Sequence, residues 1–263
     1  VPKIIGYAAI LALAFDVVQG IWTFIQTLYH ATILEPIRLP FEMNPSELQA
    51  LRDAAERRAR AIANEVIKAL DMALENASNV LHKAATDWST ATRGAIKTAY
   101  EYAVDNCYKF YTNKIRATGR AELQETMAQQ MRRLEEIRDK ATNMLWDDAQ
   151  RLAKQIDAMI DELRKGYMGL IEAMVTKALS EVDFELQRTK GSKTKRITLD
   201  LEEVRRGFER QLNMLIESKK REIEVKNDAY YIEKAGGKLR PFQLETAIGK
   251  VTLYEIAWER VDP

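Results

Sequence analysis

Few residues in this chain of 263 are of a kind that commonly does chemistry. Histidine occurs twice, at His30 and His82, and neither falls in an HExxH pattern that could hold zinc. The single cysteine, Cys107, has no second thiol for a disulfide or a thiolate cage and no neighbouring histidine to activate it. "AVDNCYKFY" therefore suggests a buried packing residue rather than a nucleophile. Gly236-Gly237-Lys238 hints at a phosphate loop, but such a loop needs four residues between glycines and a serine or threonine after the lysine. Leu239 follows instead, and the spacing is absent. The carboxylates are scattered through mixed-charge stretches, with nothing to pair two of them for acid and base work. No residue set points to an active site, so the expectation is a protein that is not an enzyme and holds neither cofactor nor metal.

Composition points to what must position these residues. Glycine (11) and proline (6) are scarce, which suits long helices. Lysine and arginine (40) nearly cancel aspartate and glutamate (39), so no global basic field recruits nucleic acid, and the charges read as solvated helix faces.

Residues 4 to 34 are the most hydrophobic stretch, with Asp16 their only acid and no lysine or arginine. About 20 apolar residues suffice to cross a bilayer, so the segment is expected to be a transmembrane helix and the protein membrane-associated. An acid at mid-bilayer should face protein. Ala8, Ala12, Asp16 and Gly20 recur every four residues as a narrow face on which a copy or another subunit could pack. Pro36 and Pro40 make residues 35 to 44 a linker, and Asn44, Pro45 and Glu47 form a helix start.

From there the apolar residues repeat in elevens. Steps of three, four and four pass through Leu48, Leu51, Ala55, Ala59, Ile62, Val66, Leu70, Ala73, Ala77, Leu81, Ala84 and Trp88, then Thr92, Ala95, Ala99 and Ala103. A heptad count instead lands on Arg58, Glu65 and Lys83. An eleven-residue repeat gives a nearly straight coil, and alanine in its seam implies close approach. A second stripe takes in Leu145, Ala149, Leu152, Ile156, Ile160, Leu163, Tyr167, Ile171, Met174, Ala178 and Val182. The two are out of phase by two residues, a rotation of roughly 200° in one continuous helix. A turn at Gly119 removes the conflict, so residues 45 to 190 are expected to form an antiparallel hairpin of long helices.

Residues 188 to 196 bring Arg188, Lys190, Lys193, Lys195 and Arg196 together without an acid, a loop that could meet anionic headgroups or phosphate. Residues 200 to 263 are expected to be helical. Leu201, Val204, Phe208, Leu212 and Leu215 mark one helix, and Leu244, Ile248, Val251, Tyr254, Trp258 and Val261 a second. The alternative for the last stretch is a two-residue hairpin turn in "TAIGKVTL". Tyr100, Tyr102, Tyr108, Phe110 and Tyr111 concentrate aromatics near the turn, as packing or as a partner patch.

The expected fold class is all-α: a hydrophobic membrane helix, a long coiled-coil hairpin and a smaller C-terminal helical segment. In its membrane helix, proline-marked exit and alanine-rich coil, the stretch from residue 4 to 110 resembles the peripheral-stalk b subunits of rotary ATP synthases. The hairpin departs from that pattern. The resemblance implies a stalk, tether or scaffold subunit that partners itself or other helical subunits. A tube- or pore-forming assembly and a lipid-surface amphipathic helix are the competing readings.

Overall fold

The computed structural model describes residues 32–34, 45–188, 197–198, 201–219 and 225–261. Helix dominates. Strand β1 (Thr32–Leu34) precedes α1 (Pro45–Thr118) and α2 (Leu123–Arg188), then strand β2 (Ile197–Thr198), α3 (Leu201–Lys219), α4 (Asp228–Lys234), β3 (Leu239–Thr246) and β4 (Gly249–Ile256). The two long helices pack together as a hairpin. Gly119 ends α1 at φ +67°, its N–H bonding the Ile115 carbonyl at 2.8 Å, a left-handed cap that glycine adopts without strain.

The helices bury their faces with the eleven-residue period. On α1 a triplet spaced four, four, three recurs five times: Ala55, Ala59, Ala63; Val66, Leu70, Leu74; Ala77, Leu81, Ala85; Trp88, Thr92, Ile96; Ala99, Ala103, Cys107. Ile62, Ala84 and Ala95 sit one residue away from the buried member and are half-buried, as are Leu48 and Leu51 near the helix start. Adjacent residues are about 100° apart on the same turn, and a period alone does not choose between them. On α2 the buried face carries Leu145, Leu152, Ile156, Leu163, Tyr167, Ile171, Met174, Ala178 and Val182. Met159 is buried where the count placed Ile160, which is half-buried like Ala149.

Two compact units divide the chain. One holds the described parts of Tyr7–His82 and Gln155–Ile223. Here Arg52 meets Asp183 at 2.7 Å, Arg60 meets Glu172 at 3.8 Å, Arg164 meets Asp71 at 2.9 Å and His82 meets Asp157 at 2.8 Å. Partner numbers fall as the α1 numbers rise, as antiparallel helices require. The Tyr167 hydroxyl also bonds Asp71, and burial together with that carboxylate pushes its ionisation up. Helix α3 packs on α2 through two glycines. A Cβ on Gly166 would collide with the Gln211 amide, and one on Gly207 would lie 2.7 Å from Leu170 Cδ1.

Two expectations are corrected. The C-terminal stretch is not a second helix but the antiparallel pair β3–β4, joined by Ala247 and Ile248 with Gly249 at φ +123°. Gly249 interrupts the expected helix in mid-run with the positive φ that a tight turn takes, and Val251, Thr252, Tyr254 and Ile256 are β-branched or aromatic residues that suit a strand. The hydrophobic segment also ends in strand rather than helix. Thr32–Leu34 pairs antiparallel with Ile197–Thr198, two residues ahead of Pro36. The remainder of residues 4 to 34, with Ala8, Ala12, Asp16 and Gly20, lies outside the described residues. So do Lys190, Lys193, Lys195 and Arg196; Arg188 closes α2. Among the described residues no helix is long and apolar enough to cross a membrane.

Candidate functional site

The second unit holds Lys83–Lys154 and the described part of Glu224–Pro263. Here the last residues of the chain strap themselves across both helices and leave a β-hairpin standing. Val225 is buried, and Trp88 donates its indole N–H to the Lys226 carbonyl at 2.8 Å. Asn227 caps α4 by accepting the Tyr230 N–H at 3.0 Å. Tyr231 then reaches α2, its hydroxyl donating to Asp148 Oδ2 at 2.7 Å. Burial and that carboxylate push the Tyr231 ionisation up. Gly237 passes so close to α2 that a Cβ there would meet Ile137 Cγ2 at 2.8 Å.

The strap is fastened at Glu255, whose side chain is only 1% exposed. The strand register sets Arg240 opposite Glu255, and Arg240 Nη2 and Nε donate to Glu255 Oε1 at 2.8 and 3.2 Å. Glu255 Oε2 accepts from Asn106 Nδ2 of α1 at 2.8 Å and from Trp258 Nε1 at 3.2 Å. A buried carboxylate is tolerable only with its lone pairs filled, and four N–H donors fill them. Trp258 packs against Phe110 and Tyr111, with Arg240 and Arg260 over its ring at 4.9 and 5.3 Å. Tyr111 donates to the Glu259 carbonyl at 2.6 Å and accepts the Val261 N–H at 3.2 Å.

The aromatic concentration near the turn is thereby accounted for. Tyr102 packs edge-on against Phe242, Phe110 and Tyr111 receive Trp258, and Tyr100 lies beneath Arg138. Tyr108 stays exposed. The aromatic platform is occupied by this chain's own C-terminal strap. Cys107 is buried beside it, and its thiol is pushed up to about 11 by burial and by the charge of Glu255. That shift is opposite to the one that activates a thiol. Among the described residues no cluster of histidine, cysteine and carboxylate is placed to hold a metal ion.

No family model matches the chain, and no curated protein or solved structure is detectably similar to it. Its function must be argued from its own surfaces.

One surface stands out. Away from Glu255, the hairpin leaves Leu244, Ile248, Val251 and Tyr254 exposed, Ile248 at the turn to 95%. Asn106, Arg240 and Glu255, which hold the hairpin in place, were not singled out from sequence. The signal was there: a two-residue turn at Ala247 and Ile248 puts Arg240 opposite Glu255, a cross-strand ion pair. A shallow notch lined by Arg93, Lys97, Arg138, Asp139, Thr142 and Asn143 also lies on this unit. Its central cation is neutralised, since Arg138 bonds Asp139 at 2.9 Å and lies 3.6 Å from Glu135.

Proposed function

We propose that this chain is a non-catalytic structural subunit: a membrane-anchored helical hairpin that presents its C-terminal β-hairpin to an assembly. The observation that carries the reading is the use made of the polar groups around the strap. Asn106, Tyr111 and Tyr231 direct their donors to fastening the strap to the helices, and Arg240 and Trp258 direct theirs to the strap's own buried carboxylate, Glu255. The apolar end of the β-hairpin meanwhile stays exposed. Contacts that position one element and leave another bare suit a scaffold. Residues 4 to 34 supply the anchor in this reading, and the long hairpin supplies reach.

Membrane flotation after an alkaline carbonate wash tests the anchor. The full chain is expected to stay with the lipid, and a chain lacking residues 1 to 40 to remain in the aqueous fraction. Release of the full chain by carbonate overturns it. Dye-loaded liposomes address the pore-forming alternative: a scaffold releases no dye, and graded leakage with protein dose would replace this reading with that one.

A further inference from the structure

The β-hairpin has two edges, and they are not alike. In an antiparallel pair, residues alternate between bonding the partner strand and pointing their N–H and C=O outward. The Ala257 N–H bonds the Lys238 carbonyl at 2.7 Å, which fixes the phase. Counting along the register, Arg240, Phe242 and Leu244 bond inward to Glu255, Leu253 and Val251. The outward groups belong to Leu239, Pro241, Gln243 and Glu245 on β3, and to Lys250, Thr252, Tyr254 and Ile256 on β4. Proline in mid-β3 has no N–H to offer, the usual way an edge is blunted. β4 has no such block. Lys250, Thr252 and Tyr254 are exposed, and among the described residues no hydrogen bond is made to their outward backbone groups.

The geometry points to a second copy of this chain as the occupant of that edge, the two β4 strands pairing antiparallel about a two-fold axis at Thr252. The exposed outward-facing positions Lys250, Thr252 and Tyr254 are centred on Thr252, so this register uses all three. It sets Thr252 against Thr252, Val251 against Leu253, and Lys250 against the face of Tyr254. Threonine pairs, apolar pairs and a cation over an aromatic ring are all favourable across strands, and no like charges meet. Sliding by two residues toward Ile256 would bring Val251 against the buried Glu255 and demand a backbone edge at Ile256, whose side chain is fully buried. A two-fold contact uses the same patch on both copies and closes. The blunted β3 edges then cap the four-stranded sheet and stop a fibre. This gives the assembly proposed above one named interface, and it holds whether or not residues 4 to 34 enter a bilayer.

The test is cross-linking of the full chain in mild detergent. Thr252→Cys lies on the proposed axis, and buried Cys107 is the natural chain's only thiol. Oxidation is expected to give a band at twice the 30.2 kDa chain mass. Gln243→Cys is the control. It sits opposite Thr252 on the blunted strand, so two copies would be held about 14 Å apart, three strand spacings. It should stay monomeric on the gel. Thr252→Pro removes an outward N–H and should abolish the dimer in light scattering while leaving far-UV helicity unchanged. Equal cross-linking at both sites, or none at Thr252→Cys in a chain of normal helicity, overturns the inference. So does a fluorophore at Ile248→Cys that shifts to the blue on phosphatidylcholine–phosphatidylglycerol vesicles with no cross-link formed, because lipid is then the occupant. Flotation reads the anchor and cross-linking reads the edge, so either can fail alone.

Discussion

Arg240 and Glu255, fifteen residues apart in sequence, meet across the β-hairpin at 2.8 Å with the carboxylate almost wholly out of water. Removing a partner from such a pair strands a buried charge, whereas removing both can be nearly neutral. Arg240→Leu is expected to cost on the order of 3 kcal/mol, the low end for a buried pair, because water still reaches part of the arginine. Arg240→Leu with Glu255→Leu should recover most of that loss. Urea denaturation followed by tryptophan fluorescence reads both, since Trp258 sits against the carboxylate. A single variant within about 0.5 kcal/mol of the parent, as for an ordinary surface change, would show that the pair fastens nothing.

Glycines of identical composition should respond oppositely to a methyl group. Gly94 lies within α1 with open space where a Cβ would go, so Gly94→Ala should stabilise by about 0.5–1 kcal/mol through helix propensity alone. At Gly237 the added carbon meets Ile137 and Ile232 at 2.8 and 3.2 Å, and overpacking of that kind costs about 1–3 kcal/mol. Melting temperatures moving in opposite directions are the expected result. A neutral Gly237→Ala would mean that the strap does not press on α2 there.

The seam on α1 and the turn at Gly119 were legible in the sequence for a shared reason: each follows from periodicity. A two-residue phase slip between stripes has no remedy but a break, and Gly119 was the available glycine. The exact seat was not legible, because Ile62 and Ala63 share a turn and apolarity favours the wrong one. The expected second C-terminal helix failed differently, and its alternative, the two-residue hairpin turn, is what the chain adopts. Leu244, Ile248, Val251 and Tyr254 keep helical spacing, yet all four are exposed on a pair of strands and their turn, so the spacing that suggested a buried helix face has no such face behind it. Asn106 and Glu255 are separated by 149 positions, and no local rule connects them.

Tyr111 joins α1 to the last residues of the strap by one hydroxyl that both donates and accepts. Tyr111→Phe keeps the ring against Trp258 and removes both bonds, which should cost about 1–2 kcal/mol. The effect should be local. Amide exchange at Val261 should accelerate while exchange in the middle of α1 stays at parent rates. Uniform acceleration along α1 would instead make the hydroxyl a part of the global core.

Cys107 supplies a prediction about alkali. Burial and the charge of Glu255 raise its thiol from 9.0 to about 11 in the folded chain. Between those values the unfolded chain has released a proton that the folded chain keeps, so its contribution to stability is intact below pH 9 and is lost as pH rises toward 11. The slope from one such group is at most about 1.4 kcal/mol per pH unit. Tyr167 and Tyr231 are raised above their ordinary 10.0 by burial and by Asp71 and Asp148, and they add slopes of the same sign at higher pH. Comparison with Cys107→Ala isolates the thiol: the variant should lose less stability than the parent between pH 9 and 11, although its cavity makes it weaker at pH 7. Ellman's reagent offers an independent reading. The native thiol should react slowly at pH 8 and rapidly in urea. Fast reaction of the folded chain would place Cys107 in contact with water and remove the basis for the alkaline slope.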